Sequence, residues 1–309
     1  MVGKTAQNKL EKVKQRRAVT LVFGLTLLFS GLVAFKNDWR QFWQRLSEPV
    51  VISDLPQEAR FDPRPVVDQI KAVTTPLLGV YGVYVENLVS GHQYGLFQKQ
   101  TFPMASLVKL PVILTLYQEA EADRLNLEDE YPLREADKLG GAGILQSQPA
   151  GSVYTYRQLA QLMGHYSDNT AYNVALKVLG LAKVQRTIEQ LGMASTALAD
   201  FETTPADMGL FFRRLYAGKL VNNLHQQEIF EFLTATVFED RIPAGVPEGV
   251  RVVHKVGTEI GNFADAGIVM APQPFVLVII TQDARESEAL TALPEISRLV
   301  WEFETTALP

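Results

Sequence analysis

A serine and a lysine stand three residues apart at the start of an apolar run, ASLVKLPVIL, over residues 105–114. On a helix, Ser106 and Lys109 share one face, with their Cβ atoms about 5–6 Å apart. A serine hydroxyl becomes nucleophilic when a neighbouring base takes its proton, and a lysine can be that base if burial or nearby cations lower its pKa. A polar first turn with a solvent-facing lysine has the same spacing. The pair alone therefore leaves both interpretations open.

A second polar group, Ser167-Asp168-Asn169, lies in HYSDNTAYN just before a helical stretch. A serine or an aspartate at this place can simply cap the helix. The functional alternative is a hydroxyl that relays a proton, next to an amide that binds an amide group of a substrate. The spacing does not choose between these two roles.

A third group lies in VVHKVGTEIG, where a predicted strand carries Lys255 and then Gly257. A glycine in a strand permits close approach of a ligand or of another backbone. A lysine beside such a glycine can attract an anionic substrate, whereas the simpler interpretation is an exposed cation at a strand end.

Hydrophobic periodicity predicts the elements that must position these groups. Strands are expected near both ends of the domain and helices between them. The expected strands are 77–88, a second one after the turn that begins at Ser90, 250–258, 265–271 and 274–281. The expected helices are 106–121, 156–165, 168–179, 183–191, 204–218, 225–236 and 286–303. Short turns between the last strands favour antiparallel pairing. We therefore predict an α+β fold with one antiparallel sheet of about five strands, packed with helices, and a helical lobe.

The composition excludes several other kinds of chemistry. The chain has 309 residues, a net charge of −5 and no cysteine. Disulfides, thiolate catalysis and cysteine metal sites are therefore excluded, and nothing in the overall charge suggests a nucleic-acid partner. The four histidines show no metal-ligand spacing, and the glycine-rich LGGAGIL (139–145) lacks the phosphate-loop pattern. We expect no cofactor, and we expect 139–145 to be a flexible segment near the site.

The first 60 residues predict attachment to a membrane. Residues 1–17 are strongly basic, and residues 18–35 are uncharged and apolar. As a helix this stretch is about 27 Å long, close to the thickness of a hydrocarbon core. We expect a cytoplasmic tail (1–17), a transmembrane signal anchor (18–35), a stalk (36–60) and an extracytoplasmic domain (61–309). The alternative is a cleaved signal peptide with a secreted or periplasmic domain.

In chain order, Ser-x-x-Lys, Ser-Asp-Asn and Lys-x-Gly resemble the penicillin-recognising serine enzymes, most closely the class A β-lactamases. The resemblance covers most of residues 65–303 and includes the stretches around HYSDNTAYN and TTPADMGLFF. It implies the β-lactamase/transpeptidase-like fold, with Ser106 as the acylated nucleophile, Lys109 as its base and Ser167 as the proton relay. It also implies that the Ser106 and Thr258 amides form the oxyanion hole and that Asp168 is structural. The substrate-binding residues implied are Asn169, Lys255, Gly257 and Thr258.

Two departures from the family pattern affect the expected function. Val256 stands where the family usually has threonine or serine, so it cannot bind a substrate carboxylate, although Thr258 could compensate. The loop that carries the deacylating glutamate is apparently deleted, and Glu202, directly before TTP, is a poor substitute. We therefore expect a serine hydrolase that is acylated by a β-lactam or a related amide or ester and deacylates slowly. The alternatives are a membrane-anchored D,D-peptidase that acts on peptidoglycan peptides and a binding or sensing module with weak catalysis.

Overall fold

The computed structural model describes residues 61–306. The basic tail, the anchor and the stalk predicted over 1–60 lie outside these residues. Within 61–306, no helix is both long enough and apolar enough to cross a membrane.

A five-stranded antiparallel sheet forms the frame of the domain. Its strands come from both ends of the described chain, in the spatial order β2-β1-β9-β8-β7. They are β1 (Val80–Asn87), β2 (Gln93–Leu96), β7 (Val252–Glu259), β8 (Asn262–Val269) and β9 (Phe275–Gln282). Four further short strands pair outside this sheet: β3 (Phe102–Pro103) with β6 (Glu202–Thr203), and β4 (Glu130–Pro132) with β5 (Val153–Thr155).

Helices cover both faces of the sheet, and the central strand shows why. Along β9, Leu277 and Ile279 point into one buried cluster, while Val278 and Ile280 point into the other. Because side chains alternate across a strand, FVLVIITQ is apolar at nearly every position rather than at every second one. The α+β fold predicted from the sequence is confirmed.

The helices lie close to their predicted ranges. Helices α1 (Arg64–Thr74) and α8 (Glu286–Thr306) cover one face of the sheet, and the others form the opposite layer and the helical lobe. These others are α2 (Lys109–Glu121), α3 (Tyr156–His165), α4 (Asn169–Leu179), α5 (Leu181–Gln190), α6 (Pro205–Tyr216) and α7 (Asn223–Phe232). Several begin at side-chain caps that the sequence contains, such as Thr204 before Pro205.

The α-helix predicted over 106–121 begins three residues later than expected, at Lys109. Its first turn, Ala105–Val108, is a 3₁₀ turn, and α2 starts only at Lys109. Pro111 then falls in the first turn of α2, where an α-helix leaves its N–H groups without intrahelical partners, so the missing donor costs little. The turn is reached directly from β3, where the amide of Met104 donates to the carbonyl of Phe201 at 2.8 Å.

Candidate active site

Lys109 and Ser106 are in direct contact at the start of α2. The Lys109 Nζ atom lies 2.7 Å from Ser106 Oγ and 2.8 Å from Asn169 Oδ1. The lysine is only 2% exposed. Burial lowers the pKa of Lys109 to about 8, and the negative charge of Asp168 opposes this change. A lysine with this pKa is partly neutral near pH 7 and can accept a proton, which an exposed lysine with its ordinary pKa does very little.

Ser167 connects the two lysines of the site. Its Oγ atom accepts from Lys255 Nζ at 2.9 Å and lies 3.4 Å from Lys109 Nζ. Ser167 is 2% exposed and has a φ of 53°, in the left-handed region that non-glycine residues rarely adopt. Ala105, immediately before Ser106, is also left-handed, with a φ of 44°. Such backbone outliers are often found at functional sites, where the surrounding structure holds them in place.

Asp168 is structural, because its carboxylate binds only backbone amides. Oδ1 accepts from the amide of Ala171 and caps α4, while Oδ2 accepts from the amides of Ile144 and Leu145 at 2.6 and 2.8 Å. A Cβ atom at Gly143 would lie only 2.3 Å from the Asp168 side chain, and the φ of this glycine is 108°. Only glycine fits there.

The glycine-rich segment 139–145 therefore lies beside the site, as expected, and is held there by hydrogen bonds. Besides its two bonds to Asp168, it accepts from Asn169 Nδ2 through the carbonyl of Gly140 at 2.8 Å. The side-chain amide of Asn169 is thus fixed at both ends, since its oxygen accepts from Lys109 and its nitrogen donates to Gly140.

Strand β7 brings the third group to the nucleophile. Lys255 is 1% exposed, and its Nζ atom donates to Ser167 and to the carbonyl of Val256 at 2.9 Å each. Burial, followed by the nearby charge of Lys109, lowers the pKa of Lys255 well below its ordinary value. A Cβ atom at Gly257 would lie 3.1 Å from the Ala105 Cβ and 3.3 Å from the Ser106 amide nitrogen. This glycine therefore allows the edge strand β7 to pass directly along the turn that carries Ser106.

Sequence reasoning missed Arg241, which contacts the end of β7. One of its terminal nitrogens, Nη1, donates to the carbonyls of Gly257 and Ala264, and the other, Nη2, donates to Thr258 Oγ1 at 2.6 Å. Arg241 is only 3% exposed, whereas Thr258 is exposed. The arginine occupies an acceptor site of the Thr258 hydroxyl, so the hydroxyl proton is free to be donated towards solvent. Arg241 lies in VFEDRIPAG, which matches no motif, and only the packing of this loop against β7 identifies it.

Val256 is buried and Glu202 is exposed, as expected for an apolar and a charged side chain. Val256 is 4% exposed and offers no hydrogen-bonding group except its backbone. Glu202 is exposed on the short strand β6, and its side chain makes no hydrogen bond within residues 61–306. No cluster of histidine, aspartate and glutamate suited to a metal ion occurs in the described part of the chain.

The arrangement contains the parts of an acyl-transfer site. It has a hydroxyl in contact with a base, a second hydroxyl between two amines, and a fixed amide beside them. Each predicted site residue from Ser106 to Thr258 lies in this one place. A family model described as the β-lactamase enzyme family matches residues 65–303, and the chain therefore belongs to this family.

Individual relatives are distant but cover most of the domain. β-Lactamase L2 of Stenotrophomonas maltophilia is 26% identical over an alignment of 250 positions, which covers 74% of this chain and 82% of the relative. A solved β-lactamase from Sphaerobacter thermophilus has a TM-score of 0.74 at 26% identity and covers 81% of this chain and 100% of its own. A mutant of PBP-A, solved as an acyl-enzyme complex with penicillin G, has a TM-score of 0.73 at 26% identity, with the same coverage.

Proposed function

We propose that Ser106 is acylated by β-lactams and by related amides or esters. The observation that carries this proposal is the 2.7 Å contact between Ser106 Oγ and a buried lysine whose pKa is about 8. The neutral Lys109 amine takes the hydroxyl proton as Oγ bonds to the substrate carbonyl carbon. The carbonyl oxygen becomes an oxyanion, for which the amides of Ser106 and Thr258 supply donors.

Collapse of the tetrahedral intermediate breaks the bond between the carbonyl carbon and nitrogen. Ser167 gives its proton to the leaving nitrogen and recovers one from the Lys109 ammonium, with which it is in contact. Lys109 thereby returns to the neutral form. The product is the Ser106 ester, and the new amine leaves in the case of an open-chain amide or stays attached to the acyl group in the case of a β-lactam. Lys255, on the other side of Ser167, donates a hydrogen bond to the Ser167 oxygen and so stabilises it while its proton is transferred.

A substrate carboxylate is bound by the end of β7. Because Val256 has no hydroxyl, the Thr258 hydroxyl takes this role, with its lone pair engaged by Arg241 and its proton directed outwards. Burial lowers the pKa of Lys255, but a bound carboxylate stabilises the charged form of this lysine, which then adds attraction.

Hydrolysis of the acyl-enzyme is slow, because water needs a base within hydrogen-bond reach of the ester. No carboxylate in the described residues hydrogen-bonds to Ser106 or Lys109, and Glu202 is directed to solvent. Incubation with penicillin G followed by intact-mass measurement should show one stable adduct, absent from Ser106→Ala. Absence of both an adduct and turnover would contradict the proposal.

A membrane-anchored D,D-peptidase is the second candidate, and the same lack of a carboxylate near Ser106 favours it. Peptidases of this kind pass the acyl group on or hydrolyse it at a modest rate, so they do not need rapid hydrolysis of β-lactams. Release of D-alanine from a peptidoglycan pentapeptide, compared with turnover of a chromogenic cephalosporin, separates the two candidates. If Ser106→Ala retains the biological activity, a binding or sensing module is supported instead.

The apolar stretch 18–35 supports attachment of this domain to the outer face of the cytoplasmic membrane. Fractionation of cells that express the full chain should place it in the membrane pellet, resistant to high salt. A soluble, shortened product would favour the cleaved signal peptide.

A further inference from the structure

His254 precedes Lys255 on β7 and is fully buried between two carboxylates. Its Nδ1 atom lies 2.9 Å from Asp265 Oδ1 on β8, and its Nε2 atom lies 3.1 Å from Glu239 Oε1 in the loop before Arg241. The exposure of His254 and Asp265 is 0%. The mechanism proposed above assigns no role to this histidine.

The contacts fix the number of protons that this cluster needs. A neutral imidazole has one donor and one acceptor, whereas ionised carboxylates only accept. Both ring nitrogens of His254 face carboxylate oxygens, so the ring must donate at both positions and carry a positive charge. Burial disfavours this charge, but Asp265 and Glu239 outweigh burial and raise the pKa of His254 to about 9. Lys255 follows His254 on β7, and it also feels the charges of Asp265 and Arg241.

The cluster contacts the chain on both sides of Arg241, at Glu239 and at Ile242. Glu239 Oε1 faces His254 Nε2 on β7 and also accepts from the amide and the hydroxyl of Thr236. On the other side of the arginine, the amide of Ile242 donates to Asp265 Oδ2 at 2.9 Å. The segment 239–242 is thus fastened at both ends to the pair formed by His254 and Asp265, and Arg241 lies between the two fastenings. From that place its guanidinium reaches Gly257 and Thr258.

We propose that His254 is a positioning residue which, through Glu239 and Asp265, holds the Arg241 loop against β7 and so determines the affinity of the site for substrates that carry a carboxylate. This proposal rests on the proposed function, because it concerns substrate binding at the same site. His254 itself touches no reacting atom. Its effect on the substrate passes through Arg241 and the Thr258 hydroxyl.

The most informative change is Glu239→Gln, because the Glu239 side chain is 43% exposed and the buried pair of His254 and Asp265 stays intact. The amide keeps the shape and removes the charge. Glu231→Gln is the matched control, since Glu231 pairs with Arg251 through a side chain that is 68% exposed. We also include His254→Gln, which retains one donor but loses the charge and the second contact.

The assay compares acylation by penicillin G with acylation by its methyl ester, which lacks the carboxylate. In Glu239→Gln we expect the preference for the acid to fall about 10-fold, while the rate for the ester and the rates of Glu231→Gln stay unchanged. In the unmodified protein the preference for the acid should decline as pH rises and the buried Lys255 and His254, whose pKa is about 9, lose their protons. Glu239→Gln should move this decline to lower pH, because one of the carboxylates that stabilise the charged ring is gone. An unchanged preference, or an equal loss for acid and ester, would refute the proposal.

Hydrogen exchange gives an independent reading that does not require acylation. The Ile242 amide should exchange faster in Glu239→Gln and in His254→Gln than in the control, because the contact between residue 239 and the charged His254 ring is weakened or lost. If Ser106 forms no adduct with either compound, the proposed function fails. Binding of the acid and the ester to the unacylated protein, measured by calorimetry, then still tests the positioning role. Equal Ile242 exchange in all variants would overturn it.

Discussion

The pH dependence of acylation tests directly whether Lys109 is the base. A base must be deprotonated, so the rate follows the neutral fraction of Lys109 and rises with pH. With a pKa of about 8, this fraction is roughly 1% at pH 6, about 9% at pH 7 and about 50% at pH 8. Acylation should therefore accelerate about 50-fold between pH 6 and 8 and then level off. A lysine with its ordinary pKa of about 10.4 would give a steady tenfold rise per pH unit through pH 9.

The assay is the second-order rate of Ser106 labelling by penicillin G methyl ester, followed by mass spectrometry from pH 5.5 to 9.5. The ester removes the contributions of Lys255 and Arg241 to carboxylate binding, so the profile reports Lys109. Lys109→Arg is the control, because a guanidinium keeps the positive charge and cannot lose a proton in this range. A flat profile, or a profile of the same shape in Lys109→Arg, would refute the assignment of Lys109.

Two substitutions in β7 test the geometry around Ser106. Gly257→Ala places a Cβ atom 3.1 Å from that of Ala105, so β7 or the turn that carries Ser106 must move by a few tenths of an ångström. We expect acylation of acid and ester alike to fall at least 10-fold with little change in melting temperature. Equal rates would show that the contact does not matter. Val256→Thr adds a hydroxyl on the Thr258 face of the strand, and one new hydrogen bond to a charged group, about 1.5 kcal/mol, should favour the acid over the ester about 10-fold. An equal gain for the ester would contradict this explanation.

Much of the frame follows from local sequence signals. The apolar run of β9 and the caps at Thr204 and Asp168 act within a few residues, so the elements lie close to the predicted ranges. The convergence of the three motifs could be anticipated only through the family resemblance. Periodicity alone does not show that an edge strand from the end of the chain passes along the turn of Ser106.

Other features depend on contacts between distant segments. The glycines of 139–145 suggested flexibility, but the Asp168 carboxylate, far along the chain, holds that segment by two amide hydrogen bonds. Arg241 matches no motif, and His254 was considered only as a metal ligand. Their roles depend on Asp265 and Thr258 being brought beside them by the pairing of β7 with β8. Sequence patterns that act over one turn or one strand cannot contain this information.

The short connection before α6 supports the slow deacylation that we propose. Within it, Thr196 Oγ1 lies 2.8 Å from both Thr203 Oγ1 and the Asp207 carboxylate, and Asp207 also accepts from the amide of Ser195. These hydrogen bonds hold the connection together, and they already engage the Asp207 carboxylate. Glu202 alternates with the buried Thr203 and so must face solvent. Among the described residues in contact with Ser106, the only group left to activate a water is Lys109, the same base that formed the ester. Because no second base is held beside the ester to activate a water, the ester should outlast the acylation step that produced it.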